Sequence, residues 1–287
     1  MISPETSTQL LQALFLVAVA GVAAIFQYRR HHHHPNPLAA GGLAPWRTSV
    51  LNFILWLWVI SCVFTLAGSL PSILTHGLPP QSLKAFALSA VVVESVLFIT
   101  QILLLSRVSF VSARPLDGSS LSHSSAALEG FLDFLIALPF ICACALLWQE
   151  LLDWFQRLDP SMKMPLQDPV ALLRHGGDPW LLAVLALVAI VLAPVNEELF
   201  FRGGLYRFLK GRCGRRTALV ASSLLFGLVH NNLLEFLPLV LIGALLVRTY
   251  ERTGRILASI VFHASFNAFN ILLIFLSPAV TGSPPSP

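Results

Sequence analysis

The chain has 287 residues, of which 56% are hydrophobic and only 11% are Asp, Glu, Lys or Arg, with a formal net charge of +4. An average soluble domain is about 25% charged, so a mostly hydrated surface is excluded. The small positive balance follows from membrane topology and gives no ground for a nucleic-acid partner.

A helix needs about 17–25 mainly apolar residues to cross a bilayer. In chain order, the runs that qualify lie at 9–28, 50–74, 85–106, 131–152, 180–200, 217–232, 236–248 and 256–276. They predict an all-α, polytopic integral membrane helical bundle with about eight transmembrane helices. The sixth and seventh runs are short, and merging them across Asn231-Asn232 gives seven.

The first run has no basic start and is followed by Arg29 and Arg30, which reads as a retained anchor rather than a signal peptide. The His31–His34 stretch reads as a solvated juxtamembrane loop, with metal binding as the other reading. Linkers are expected at 29–49 and 107–128, the second Ser-rich with Pro115 and Gly118. Glu94 falls inside the third run, where pairing with a basic group or lining a cavity is expected. Glu129 and Asp133 open the fourth run and Glu235 the seventh, positions where carboxylates complement a helix N-terminus. The proline-bearing stretch 153–179 reads as a loop. Pro194 is expected to kink the fifth helix and Gly203-Gly204 to loosen or end it. Cys62, Cys142, Cys144 and Cys213 lack zinc-ligand spacing and read as reduced.

With an outer N-terminus, 14 of the 18 basic residues fall on the inner side. They are Arg29, Arg30, Arg47, Arg107, Arg114, Arg202, Arg207, Lys210, Arg212, Arg215, Arg216, Arg248, Arg252 and Arg255. Trp148, Trp154 and Trp180 then fall near the outer interface. Residues 1–175 read as a scaffold of about four spans and 176–287 as the functional core with about four more. No internal repeat supports an inverted-repeat transporter.

The core carries polar groups where they are costly, since an ionisable residue at mid-membrane costs ~2.5–3.5 kcal/mol on insertion scales. Glu197-Glu198-x-x-x-Arg202, Phe226-x-x-x-His230 and His263-x-x-x-Asn267 each pair residues four apart, on one helix face. Glu198 with Arg202 reads as an in-helix ion pair. Glu197 points elsewhere, because adjacent side chains diverge by about 100°, and is the freer carboxylate and first choice as base. Taken singly, the glutamates read equally as solvating basic residues, and each histidine or Asn267 as interhelical glue. Depth argues otherwise: at ~1.5 Å per residue, Glu197 lies about 15 Å from Arg207, His230 about 21 Å from Arg216 and His263 about 12 Å from Arg255. Three helices bring acid–base groups to a similar level in the inner half.

These motifs, in this order over about 180–276, resemble the CPBP family, which holds the type II CAAX prenyl endopeptidases and Abi-like bacteriocin-processing or immunity proteins. The resemblance implies a helical intramembrane endopeptidase open to the cytosol. Glu197 would activate a water that His230 helps orient, and His263 and Asn267 would stabilise the oxyanion. Glu198, held by Arg202, would support the site, and Phe226 would accompany His230. The cofactor stays open between none and a divalent metal such as zinc, whose ligands would be Glu197, His230 and His263. The absence of His-Glu-x-x-His weakens a zincin analogy. The implied partners are a peptide or membrane-protein substrate, with or without a lipid, and the bilayer. The expected location is a bacterial plasma membrane, and the Lys/Arg bias with about eight spans puts both termini outside. Two other readings stand beside the protease: a non-catalytic bacteriocin-immunity or peptide-binding protein of the same fold, and a proton-coupled transporter using Glu197 and His230.

Overall fold

The computed structural model describes residues 4–33, 43–74, 82–107, 121–161 and 177–276, and every regular element among them is helical. In lipid each backbone amide must be satisfied inside the chain, and a helix does this within one segment. The elements are α1 (Pro4–His33), α2 (Val50–Leu74), α3 (Leu83–Arg107), α4 (His123–Leu158), α5 (Pro179–Leu187), α6 (Ala193–Glu198), α7 (Arg207–Val229), α8 (Phe236–Thr253) and α9 (Ile256–Leu276). Wider π-helical turns at Val188–Leu192 and Leu199–Tyr206 join α5 to α6 and α6 to α7.

Short polar residues start these helices by accepting from first-turn amides. Ser49 takes Asn52 N–H at 3.1 Å, Ser82 takes Ala85 at 3.2 Å, Ser122 takes Ser125 at 3.1 Å and Asp178 takes Trp180 at 2.9 Å. Gly254 closes α8 at φ 63°, a left-handed conformation that glycine adopts without a Cβ clash.

Among the described residues, six stretches are long and apolar enough to cross a membrane: Leu11–Arg30, Val50–Leu70, Leu83–Leu104, His123–Leu158, Pro179–Val229 and Ile256–Leu276. The fifth, 51 residues long, holds two of the predicted runs. Unbroken it would reach about 77 Å at 1.5 Å per residue, against a core of about 30 Å. Gly214, at φ 81° and ψ 170°, breaks it into two legs. The seventh predicted run forms α8, which carries Arg248, Glu251 and Arg252 near its end. The count of about eight is therefore approximate.

Two compact units interleave along the sequence, and each draws on residues before and after 175. The first comprises Met1–Ala44, Leu116–Pro165 and Cys213–Phe262. Within it α1 and α8 pack on α4. A buried cluster ties the three together: Arg252 reaches Glu129 and Asp133 at 2.8 Å each, Gln27 donates to both at 3.0 and 2.9 Å, and Thr249 donates to Asp133 at 2.7 Å. Glu129 and Asp133 were expected at a helix N-terminus. Because Ser122 caps α4 earlier, they sit well inside it and serve as ion-pair partners. The predicted linker to 128 correspondingly ends at 122; Pro115 and Gly118 lie outside the described residues.

The second unit comprises Pro45–Pro115, Leu166–Arg212 and His263–Pro287. There α2 packs on α3, and α3 packs on α5, α6 and the π-helical turn between them. Phe53 stacks on Phe208 at 3.7 Å and Trp56 on Phe200 at 5.1 Å. Trp56 lies so close to Gly204 that any side chain there would collide with the indole. The glycine pair thus keeps the helix going in π form and admits a packed ring, rather than ending it.

Other expectations meet mixed outcomes. His31–His33 continue α1 instead of forming a loop, and His34 lies outside the described residues. Arg202 and Arg207 are buried, and Arg252 is an internal ion-pair partner, so these three are not loop charges. Arg207 therefore cannot mark the membrane surface for the depth of Glu197. Trp154 and Trp180 are exposed, whereas Trp148 donates to Leu233 O at 2.8 Å. All four cysteines are free thiols.

Candidate active site

The second unit assembles most of the residues singled out by the motifs. Glu198, on α6, has no exposed surface, and Arg202 one turn later donates to its Oε1 at 2.8 Å. His263, on α9, places Nδ1 2.9 Å from the same oxygen. A carboxylate accepts, so Nδ1 carries a proton and Nε2 faces the other way. That Nε2 lies 3.7 Å from Oε2 of Glu197, whose side chain is 30% exposed, against 5% for His263. Adjacent carboxylates thus take different environments: Glu198 is sealed and neutralised by a guanidinium, and Glu197 is the accessible one.

Asn267 does not bond to His263 one turn before it. Its Nδ2 donates to Ala189 O at 2.7 Å. The cause lies in the π-helical turn, where carbonyls look five residues ahead: Val188 O takes the Ala193 N–H, and the partner due to Ala189 O is Pro194, which has no N–H. Asn267 fills that gap and fastens α9 to the π-helical turn that precedes α6. The second N–H of its amide is a further donor. Pro194 thus acts through its missing donor, at the end of a π-helical turn.

His230 and Phe226 belong to the first unit. Phe226 is fully buried, and its ring centroid lies 4.8 Å from the imidazole. His230 Nδ1 donates to Phe226 O at 2.7 Å, satisfying one of the last carbonyls of α7. Asn231 follows at φ 47°, turning the chain toward Glu235. Glu235 does precede α8 as expected, but its side chain bonds to no first-turn amide. Burial pushes its carboxyl above the ordinary carboxylate range, and the His230 charge opposes that shift.

Sequence reasoning missed Asn196 and Gln101. Asn196 Nδ2 donates to Glu94 Oε2 at 2.6 Å and to Glu94 O at 2.8 Å. Gln101 Nε2 donates to Asn196 Oδ1 and O, each at 3.2 Å. Glu94 therefore pairs with a carboxamide where a basic group was expected. Polar residues inside apolar runs were the signal, and these two fell outside the recognised spacings.

A metal ion would need several of these donors at once. Glu198 Oε1 is already shared by Arg202 and His263. Among the described residues no group of three or more His, Cys, Asp or Glu could hold one. The described donor set therefore does not fit a zinc centre.

The sequence profile of the type II CAAX prenyl endopeptidase Rce1-like family matches residues 179–269. The UPF0177 protein YbdI of Lactococcus lactis subsp. lactis is 35% identical over 93 residues, covering 31% of this chain and 47% of that protein. The chain thus spans about half the length of that relative. No solved structure matches. The resemblance carried by the motifs is borne out: this is an integral membrane protein whose residues 179–269 match a protease family, the Rce1-like type II CAAX prenyl endopeptidases.

Proposed function

We propose that the chain is an intramembrane endopeptidase that hydrolyses a peptide bond of a membrane-associated, CAAX-like substrate with water activated by Glu197. The observation that carries this reading is the Arg202–Glu198–His263 chain ending at Nε2, 3.7 Å from the accessible Glu197 carboxylate. Glu197 takes a proton from water as the oxygen attacks the scissile carbonyl, and returns it to the leaving amine when the C–N bond breaks. His263 serves the oxyanion: Glu198 accepts from Nδ1 and stabilises the imidazolium, whose Nε2–H donates to the developing charge. The second N–H of Asn267 adds a donor. A dry, preset donor of this kind contributes ~2.7–4 kcal/mol to lowering a barrier.

The family resemblance supports a part for His230 in orienting the water. The Lys/Arg bias of the sequence supports a site on the cytosolic side of a bacterial plasma membrane, with the N-terminus outside. Nothing in the chain says whether its substrate carries a prenyl group, so the test pairs two probes. Purified protein in detergent is given a farnesylated CAAX peptide and the same peptide without the lipid. Cleavage of either by wild type, with loss in Glu197→Gln and His230→Ala that still insert, supports the reading. Cleavage of both at the wild-type rate by Glu197→Gln refutes it.

A further inference from the structure

Glu197 and Glu198 stand on an unusual support. Helix α6 has only six residues and lies between two π-helical turns, Val188–Leu192 and Leu199–Tyr206. Such turns widen the helix and change which residues face one direction, so α6 does not inherit its rotation from regular helix on either side. Something outside it must set the angle at which Glu197 emerges. On one side the anchor is Glu198 itself, through Arg202 and His263.

A second anchor sits one residue before Glu197. Asn196 is 4% exposed, and both ends of its carboxamide are taken by α3. Its Nδ2 is shared between the carboxylate and the main-chain carbonyl of Glu94. Its Oδ1 and its own carbonyl both receive Gln101 Nε2. Positions 94 and 101 are two turns apart on one face of α3, so a single rigid element grips Asn196 from above and below. Successive side chains diverge by about 100°, so fixing Asn196 and Glu198 leaves Glu197 one direction to point.

We propose that Asn196 is a positioning residue for Glu197, held in register by Glu94 and Gln101 of α3. This rests on Glu197 being the catalytic base, as proposed above. The alternative is that the same bonds are helix-to-helix glue with no bearing on turnover, and the two differ in what they move. A positioning residue acts on kcat with KM nearly unchanged, because it affects the reacting geometry and not the hold on the peptide. Displacements of about 1 Å from such contacts cost on the order of 10²-fold in rate.

The experiment compares wild type, Asn196→Ala, Asn196→Asp and the double variant Asn196→Asp/Glu94→Gln, with Glu197→Gln as control, on the farnesylated CAAX peptide. Asn196→Ala is expected to lose about 10²-fold in kcat with KM within about twofold. Asn196→Asp sets two carboxylates together and loses at least as much. In the double variant the introduced carboxamide donates to the introduced carboxylate, while the bond to the main-chain carbonyl at position 94 stays lost, so part of kcat is expected to return. A folded Asn196→Ala with wild-type kcat overturns the proposal, as does a folded double variant no faster than Asn196→Asp. If Glu197→Gln cleaves normally, the hydrolytic reading fails instead. Positioning is also read without turnover, from the side-chain 15N signal of the His263 Nδ1–H, assigned by its loss in His263→Gln. It is expected to shift in Asn196→Asp and to return in the double variant, and an unmoved signal overturns the proposal whatever the substrate.

Discussion

The imidazole of His263 holds Nδ1 2.9 Å from an oxygen of Glu198, a carboxylate with no solvent-exposed surface. That bond fixes one tautomer and turns the opposite nitrogen toward Glu197. A buried carboxylate could not stay charged there alone, and the Arg202 guanidinium on the same oxygen makes the arrangement tenable. Ion pair, tautomer and presented nitrogen form one device.

Glu198→Gln tests the charge behind His263. The amide keeps the size of the side chain and can still accept from Arg202 and His263 at Oε1, but it brings no negative charge to stabilise an imidazolium at His263. Loss of kcat by roughly 10²–10⁴-fold is expected, by analogy with carboxylate-to-amide changes beside a catalytic histidine. Steady-state cleavage of the farnesylated peptide measures it, and a wild-type kcat would mean that Glu198 does not set the state of His263.

Arg202→Met tests the ion pair as structure. Both partners are 1% exposed or less, so removing the cation strands a buried charge at a cost of about 3–5 kcal/mol. The melting temperature in detergent should fall clearly, and adding Glu198→Gln should restore part of it by removing the stranded charge. A double variant no more stable than Arg202→Met would show that the pair is not what the fold depends on.

How much of this was legible in sequence depends on the kind of signal. Membrane-length apolar runs gave the helices, because hydrophobic length is a local property that lipid enforces. The four-residue spacing of Glu198 and Arg202 likewise announced a contact within one helix. What failed depended on partners distant in sequence. Glu129 and Asp133 look like N-terminal carboxylates until Arg252, over a hundred residues on, is found bonded to them. Asn267 looks paired with His263 by spacing, but a carbonyl left without a partner by Pro194 claims it. Asn196 passed unnoticed because its partners lie on α3. The tightest polar contacts between helices leave no periodic trace.

Gly130→Ala tests the packing of the first unit. A Cβ at Gly130 would run into the main-chain carbonyl of Ala258, which cannot swing aside as a side chain would. Destabilisation of about 1–3 kcal/mol or more is expected from overpacking, read as a lower melting temperature with peptide cleavage retained at low temperature. Unchanged melting would show that α4 and α9 do not approach so closely.

Glu235→Gln tests the loop that follows His230. Burial raises the Glu235 carboxyl above its ordinary 4.5, with the His230 charge in opposition. A raised value means that the folded state holds the proton more tightly. Its contribution to stability is therefore complete below the unfolded value and is lost as pH climbs through the folded one. The variant cannot ionise, so its melting temperature should gain on wild type as pH rises above the ordinary value of 4.5. A difference that stays flat with pH, or one that grows toward acid, would contradict burial of this carboxyl.

The most direct measurement is single-turnover cleavage of the farnesylated CAAX peptide and its unlipidated form by purified wild type and Glu197→Gln, with insertion and melting checked for both. A water-activating Glu197 predicts product from wild type and none from a variant that is equally folded, since the amide cannot take a proton. Equal rates from the two proteins would show that the accessible carboxylate beside His263 is not the base.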